Sequence, residues 1–358
     1  MNILIPVLSF SSAGGMRVLS KLANQFVAEG HVVEFLVPRH VNDPYYPTVA
    51  SIIKFNNPLN NIPVLSGLYN LILMLVFIII NRKKYDIFLA NYNLTSFPVV
   101  LGSIGTKKGF YYIQAYEPEF YSKKTVVGLL SFYIAKMSYH LPLCRVVNSP
   151  IYKHYKNLKS SYVVEPGIDR ELFFRNSNGQ QNKTDIDRPE INIGCIGRNI
   201  PWKGTKEIVQ AVQIARSRTG ANLVLNIAFQ IPDSVDVTRY QFIRHTTPHG
   251  DLNLSLFYKK MDLFIATGLM QDGAFHYPCM EALASGCIVI SNYAPASYSN
   301  AIFLTKVNVD KLVDNIVVFL GMKNASLKKI SDQADKDMDS YTWSNIAQKM
   351  LDVFKING

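Results

Sequence analysis

The sequence predicts an α/β protein of two Rossmann-like domains that face one cleft, on three observations. Strand-like runs alternate with helical periodicity almost from end to end. The chain has 358 residues, more than the roughly 150 that one core usually serves. A polar stretch, "RNSNGQQNKTDIDRPE" (175–190), divides the alternating pattern into two series and reads as a linker.

Taken in order, "NILIPVL", "VVEFLV", "SIIKF", "DIFLAN", "GFYYIQ", "CRVVNS" and "SYVVEP" read as strands of a first domain, residues 1–174. "GGMRVLSKLANQFVAEG" and "TVVGLLSFYIAKMSYH" read as helices between them. The second domain, 191–340, repeats the pattern: "INIGCIG", a helix from Thr205, "NLVLNIAF", "DLFIAT", a helix from Pro278, and "CIVISN". A last helix is expected over 341–358.

The opening "MNILIPVLSF" lacks a basic flank and a cleavage site, so it is expected to be a strand and not a signal peptide. The cysteines Cys144, Cys195, Cys279 and Cys287 form neither a CxxC pair nor a Cys/His quartet. A reducing cytoplasm with no disulfide framework or zinc site is therefore expected. The apolar run over 62–80, followed by Arg82, Lys83 and Lys84, is expected to be a buried or interfacial helix, with partial membrane insertion as the alternative. Lysine and arginine exceed aspartate and glutamate by 37 to 26, a net charge of +11. Basic pairs (Lys107/Lys108, Lys123/Lys124, Lys259/Lys260) and the helical spacing of Lys153, Lys156 and Lys159 come without a nucleic-acid motif. An anionic membrane face or a phosphorylated substrate is the expected partner, and no nucleic acid. Asp185–Asp187, Asp335–Asp337 and Asp337–Asp339 read as solvated charge and not as a metal site.

In open α/β sheets ligands bind beyond the carboxyl ends of the strands, so the loops there carry the chemistry. After the first strand, Gly14 and Gly15 open a helix whose amides a phosphate or sugar could approach. After Gly197, Arg198 and Lys203 place two cations where a departing nucleoside diphosphate gathers negative charge. The amides of Gly273, Ala274, Phe275, His276 and Tyr277 are expected to face the donor pyrophosphate and sugar. Glu281, in the first turn of the helix from Pro278, is expected to accept ribose hydroxyls. In "QAYEPEF" Glu117 is a candidate to orient or deprotonate an acceptor hydroxyl, with Tyr116 and Glu119 beside it.

"GRNIPWKG", the later P-x-x-E-A-x-A-x-G segment from Pro278 to Gly286, and "VVEPGIDRELF" together resemble the retaining family 4 glycosyltransferases of the GT-B fold. "YYIQAYEPEFY" and "FHYPCMEALASG" are more similar to bacterial surface-polysaccharide rhamnosyltransferases. The resemblance implies a C-terminal helix crossing back to the first domain and metal-independent transfer with retention, without a cofactor. The donor would be a dTDP-, UDP- or GDP-linked sugar, such as rhamnose or another 6-deoxy sugar. The acceptor would be a glycan or polyprenyl-diphosphate-linked chain of O-antigen or capsule, met at the cytoplasmic face of the plasma membrane by a peripheral enzyme. The family pattern carries two glutamates; Glu281 matches the second, while Gly273 stands eight residues before it in place of the first, with Asp272 adjacent. Asp272 is therefore a candidate for choosing the donor sugar. A sugar-nucleotide epimerase of the same architecture and a non-catalytic binding subunit are the alternatives.

Overall fold

A computed structural model describes residues 1–11, 13–59, 61–175, 189–299 and 301–358. They form two units: Met1–Gly167 with Trp343–Gly358, and Ile168–Thr342.

The first unit holds β1 (Asn2–Pro6), α1 (Gly14–Ala28), β2 (Val32–Pro38), β3 (Ser51–Phe55), α2 (Pro63–Ile80), β4 (Ile87–Ala90) and α3 (Asn93–Gly102). It continues with β5 (Gly109–Ile113), α4 (Val126–Ser138), β6 (Cys144–Val147) and β7 (Tyr162–Val163). Its sheet is parallel in every pair, in the order β3-β2-β1-β4-β5-β6-β7. The central strands are nearly continuous apolar runs because helices cover both faces of a parallel sheet. Ile3, Leu4, Ile5, Phe88 and Phe110 are all fully buried.

The second unit runs β8 (Ile191–Gly197), α5 (Thr205–Thr219), β9 (Leu223–Phe229), β10 (Ile243–Thr246), α6 (Gly250–Lys259), β11 (Leu263–Ala266) and α7 (Tyr277–Ala284). β12 (Ile288–Ser291), β13 (Ile302–Phe303), α8 (Val309–Leu320) and α9 (Asn324–Asp337) complete it. Its parallel sheet has the order β10-β9-β8-β11-β12-β13. In both sheets the strand order reverses once, between β1 and β4 and between β8 and β11, and such a switch point opens a crevice at the strands' carboxyl ends.

α10 (Trp343–Asn357) belongs to the first unit. Phe354 sets its ring against Phe110 at 4.8 Å and Phe26 at 6.0 Å. The first unit ends at Gly167, ahead of the boundary expected at 174. The reason is local: Phe173 packs in the second unit's core, and Arg170 pairs with Asp335 at 2.8 Å and Asp339 at 3.0 Å. Those two aspartates are thereby structural. Asp185–Asp187 and most of the expected linker lie outside the described residues. Lys153, Lys156 and Lys159 do not share an α-helix, since Pro150–His154 and Lys156–Leu158 are separate 3-10 turns.

In α2, Ser66, Asn70, Met74 and Ile78 form the buried face. The Asn57 side chain donates to the Ser66 carbonyl at 3.1 Å and to Asn70 Oδ1 at 2.8 Å, which accounts for polar residues in so apolar a helix. No helix among the described residues is long and apolar enough to cross a membrane.

Candidate functional site

At the switch point of the second unit, β8 ends in Gly197, where a Cβ would run into the Gln230 carbonyl. The chain then turns outward through Arg198. Thr205, the first residue of α5, fixes this turn by accepting from the Arg198 amide at 3.2 Å and donating to its carbonyl at 3.4 Å. The guanidinium lies 5.1 Å from the centre of the Phe229 ring, a cation–π arrangement that sets its direction. Lys203 closes the 3-10 turn Pro201–Lys203, and the Trp202 carbonyl accepts from the Leu269 amide at 2.8 Å, tying this loop to the one after β11.

Burial, and secondly the charge of Arg198, hold Lys203 below the usual lysine value. His276 is held well below the usual histidine value, first by burial and then by Lys203 and Arg198. Its Nδ1 is buried without a hydrogen-bond partner among the described residues. Neither Arg198 nor Lys203 pairs with a carboxylate among the described residues. Two close cations and a neutral imidazole, uncompensated, define a place for an anion. No cluster of three or more His, Cys, Asp or Glu side chains able to hold a metal occurs among the described residues.

The loop 268–276 is built differently from the sequence expectation. Gly273 has φ +85°, a left-handed conformation that disfavours any side chain. A glutamate at 273 would therefore be strained in this path of the loop. Asp272 does not replace it: Oδ1 accepts from Asn292 Nδ2 at 2.6 Å and Oδ2 from the Lys306 amide at 2.7 Å. Asn292, wholly buried at the end of β12, also exchanges hydrogen bonds with the Gly268 amide and carbonyl at 3.1 and 2.8 Å. The loop amides are largely occupied as well. Gly273 donates to the Asn292 carbonyl, Ala274 to Gln271 and His276 to Ala294, so among the amides of 273–276 that of Phe275 is left to a ligand. Positive φ at Gln271 (53°) and Phe229 (72°) concentrates backbone strain around the same crevice. Asp272→Ala is expected to lower stability by about 2 kcal/mol, the scale of hydrogen bonds to a charged acceptor, and to leave the choice among donor sugars unchanged. Chemical denaturation beside a donor panel checks both.

Glu281 also departs from expectation. α7 begins at Tyr277, so Glu281 lies in its second turn, only 2% exposed, with Oε2 accepting from Tyr258 of α6 at 2.8 Å.

In the first unit the loops after β1, β4 and β5 meet. The Gln114 side chain donates to the Gly15 carbonyl at 3.0 Å and also to Asn91, and a Cβ on Gly15 would press on it. Gly14, the exposed first residue of α1, stands beside it. Glu117 opens a 3-10 turn, Glu117–Phe120, and takes hydrogen bonds from the Asn93 side chain and amide at the N-terminus of α3. Burial outweighs these and raises its carboxyl to about 7. Tyr116 stacks on Tyr155 at 3.6 Å and on Tyr139 at 5.4 Å. Tyr139 fixes the turn by accepting from the Glu117 amide and donating to the Ala115 carbonyl. Glu119 is bound by the Tyr155 hydroxyl at 2.6 Å and so braces this stack. Asn93, Tyr139, Tyr155, Phe229 and Asn292 were not identifiable from the sequence, since each acts through a residue distant along the chain.

No protein-family model matches the chain. An uncharacterized glycosyltransferase of Methanocaldococcus jannaschii is 26% identical over 204 residues, 52% of this chain and 49% of that protein. The chain thus aligns with about half the length of that relative. Among solved structures, sucrose-phosphate synthase from Thermosynechococcus elongatus shares the fold at TM-score 0.75 and 15% identity, covering 99% of this chain and 98% of that one. HepE of Anabaena, in complex with UDP and glucose, matches at TM-score 0.73 and 15% identity over 99% and 100% of the two chains. The two parallel-sheet Rossmann-like units are those of GT-B structures.

Proposed function

We propose that the protein is a glycosyltransferase that moves a sugar from a nucleoside diphosphate to a glycan or lipid-linked acceptor. The observation that carries this reading is the convergence of Arg198, Lys203 and neutral His276 at the switch point of the second unit, without a compensating carboxylate. As the bond to the anomeric carbon breaks, charge grows on the leaving diphosphate, and fixed cations there stabilise the transition state more than the ground state. The transfer is metal-independent and retaining, as the sequence resemblance implies. His276 and the Phe275 amide are left to meet the sugar, and Glu281, opened by a shift of its Tyr258 partner, meets the ribose. In the first unit Glu117, with its carboxyl near neutrality, orients the acceptor hydroxyl and takes its proton. The helix N-terminus at Gly14 and Gly15 lies in the same group of loops. The similarity to HepE, which is solved with UDP and glucose, supports a nucleotide sugar as donor. A 6-deoxy sugar such as rhamnose fits a site without the first glutamate, and surface-polysaccharide synthesis at the inner face of the plasma membrane fits the basic charge.

Incubation with a panel of UDP-, GDP- and dTDP-sugars tests the reading. Release of free nucleoside diphosphate, increased by a membrane-extract acceptor, is expected. An epimerised nucleotide sugar, or no turnover with any donor, would contradict it.

A further inference from the structure

α2 and α4 each turn an apolar stripe to solvent. In α4, Val126 is 85% exposed, Val127 76%, Leu130 60%, Tyr133 58% and Met137 52%, at positions that recur with the helical period. In α2 the side opposite the buried face exposes Leu65, Leu68, Ile72, Val76 and Ile79. α3 packs against both helices, and its C-terminal end adds exposed Leu101 and Ile104. A monomeric surface seldom exposes so many large apolar side chains in one region.

The surrounding charge is mostly positive. From Phe120 to Val164 the chain has no aspartate or glutamate, and from Pro44 to Tyr116 it has Asp86 alone. Lys123 and Lys124 lie just before α4, Arg82 and Lys83 just after α2, and Lys107 and Lys108 after α3, while Lys84 pairs with Glu34 at 2.6 Å. Lys123 folds over the Phe132 ring at 4.0 Å, joining the basic rim to the apolar stripe.

We infer that α2 and α4 together form a docking face for an anionic lipid bilayer, into which both stripes sink while the flanking lysines and arginines meet the headgroups. Charge decides between this partner and a second copy of the chain: pairing two such faces would bring two basic rims together, whereas an anionic leaflet offers hydrocarbon ringed by negative charge. Neither helix spans the membrane, and each contributes one side only. The inference takes from the proposed function only its membrane setting, and vesicle binding is measured without sugar nucleotide, so failure here leaves the donor assay unaffected.

The test is flotation of the full chain with vesicles of phosphatidylcholine alone or with about one third phosphatidylglycerol. Wild type is expected to float with the anionic vesicles and weakly with the neutral ones, with added salt reducing binding only in part. Val127→Ser with Leu130→Gln, both at exposed positions, is expected to weaken anionic-vesicle binding by about tenfold, the equivalent of roughly 1.4 kcal/mol of lost apolar burial. Circular dichroism and melting temperature should match wild type. Lys123→Glu with Lys124→Glu should weaken binding while removing most of its salt dependence. Absence of vesicle binding, equal binding to neutral vesicles, an α4 variant that binds as wild type, or a concentration-dependent dimer abolished by the α4 variant would each overturn the inference.

Discussion

Arg198→Ala is expected to lower sugar-transfer turnover by on the order of 10²-fold or more, the effect of removing a preorganised charge partner of a developing anion. The expectation follows from position. Arg198 is held by Thr205 at its backbone and by Phe229 at its guanidinium, so its direction is set before any ligand arrives. Lys203→Ala acts on the same charge, and the double variant should lose less than the product of the two single losses, because groups acting as a unit are not additive. Lys203→Ala also removes the charge that, after burial, most lowers His276. Initial rates at saturating donor, with circular dichroism to confirm the fold, check these outcomes. A single variant that folds normally and turns over like wild type would remove its residue from the chemistry.

Glu117→Gln is expected to lower transfer by about 10²-fold or more, the usual scale for a positioned acid or base, and to leave affinity for the nucleoside diphosphate unchanged. It also changes how stability depends on pH. The carboxyl is raised to about 7 in the fold from an ordinary value of 4.5. The native state therefore holds its proton more tightly than the unfolded chain. The stability that protonated Glu117 contributes is fully present below pH ~4.5 and is lost as pH rises through about 7, a loss of about 3 kcal/mol. Glutamine does not ionise and still offers Asn93 an acceptor. The variant should consequently match wild type in acid and be the more stable at pH 8, while wild-type activity rises through neutrality as the base ionises. Denaturation midpoints and pH–rate profiles measure the two halves of this expectation. Equal midpoints at pH 8 would show that the carboxyl is not held near neutrality.

The elements that apolar pattern decides were readable from the sequence. β1, β2, β5, β8 and β11 are buried runs bounded by turn residues, and the Gly197–Arg198 and Lys203–Gly204 signals lie where β8 passes into α5. Of the short or exposed elements, β3 and β7 were read and others were not. β10 places Arg244, His245 and Thr246 at an exposed sheet edge, β13 has two residues, and α3 contains Pro98, so none carries a period. Chemistry along the chain singled out Arg198, Lys203 and His276, which the fold brings near one another. It gave no sign of the internal partners of Asp272, Glu281 and the amides of Gly273, Ala274 and His276, because Asn292, Lys306, Tyr258, Gln271 and Ala294 are brought to them by tertiary structure. Gly273 is the instructive residue. From the sequence it reads as a lost carboxylate; in the fold its positive φ shows that the loop takes a path in which a carboxylate there would be strained.

The central claim is that the second unit holds a nucleoside diphosphate on Arg198 and Lys203. Isothermal titration of UDP, GDP, dTDP and ADP into wild type and into the Arg198→Ala, Lys203→Ala double variant tests it most directly. At least one diphosphate is expected to bind wild type with an affinity that falls as salt rises, and to bind the folded double variant at least about tenfold more weakly, since hydrogen bonds to charged groups contribute roughly 1.5 to 3 kcal/mol each. Equal affinity of both proteins for the diphosphate, or no binding of any of the four to wild type, would contradict it.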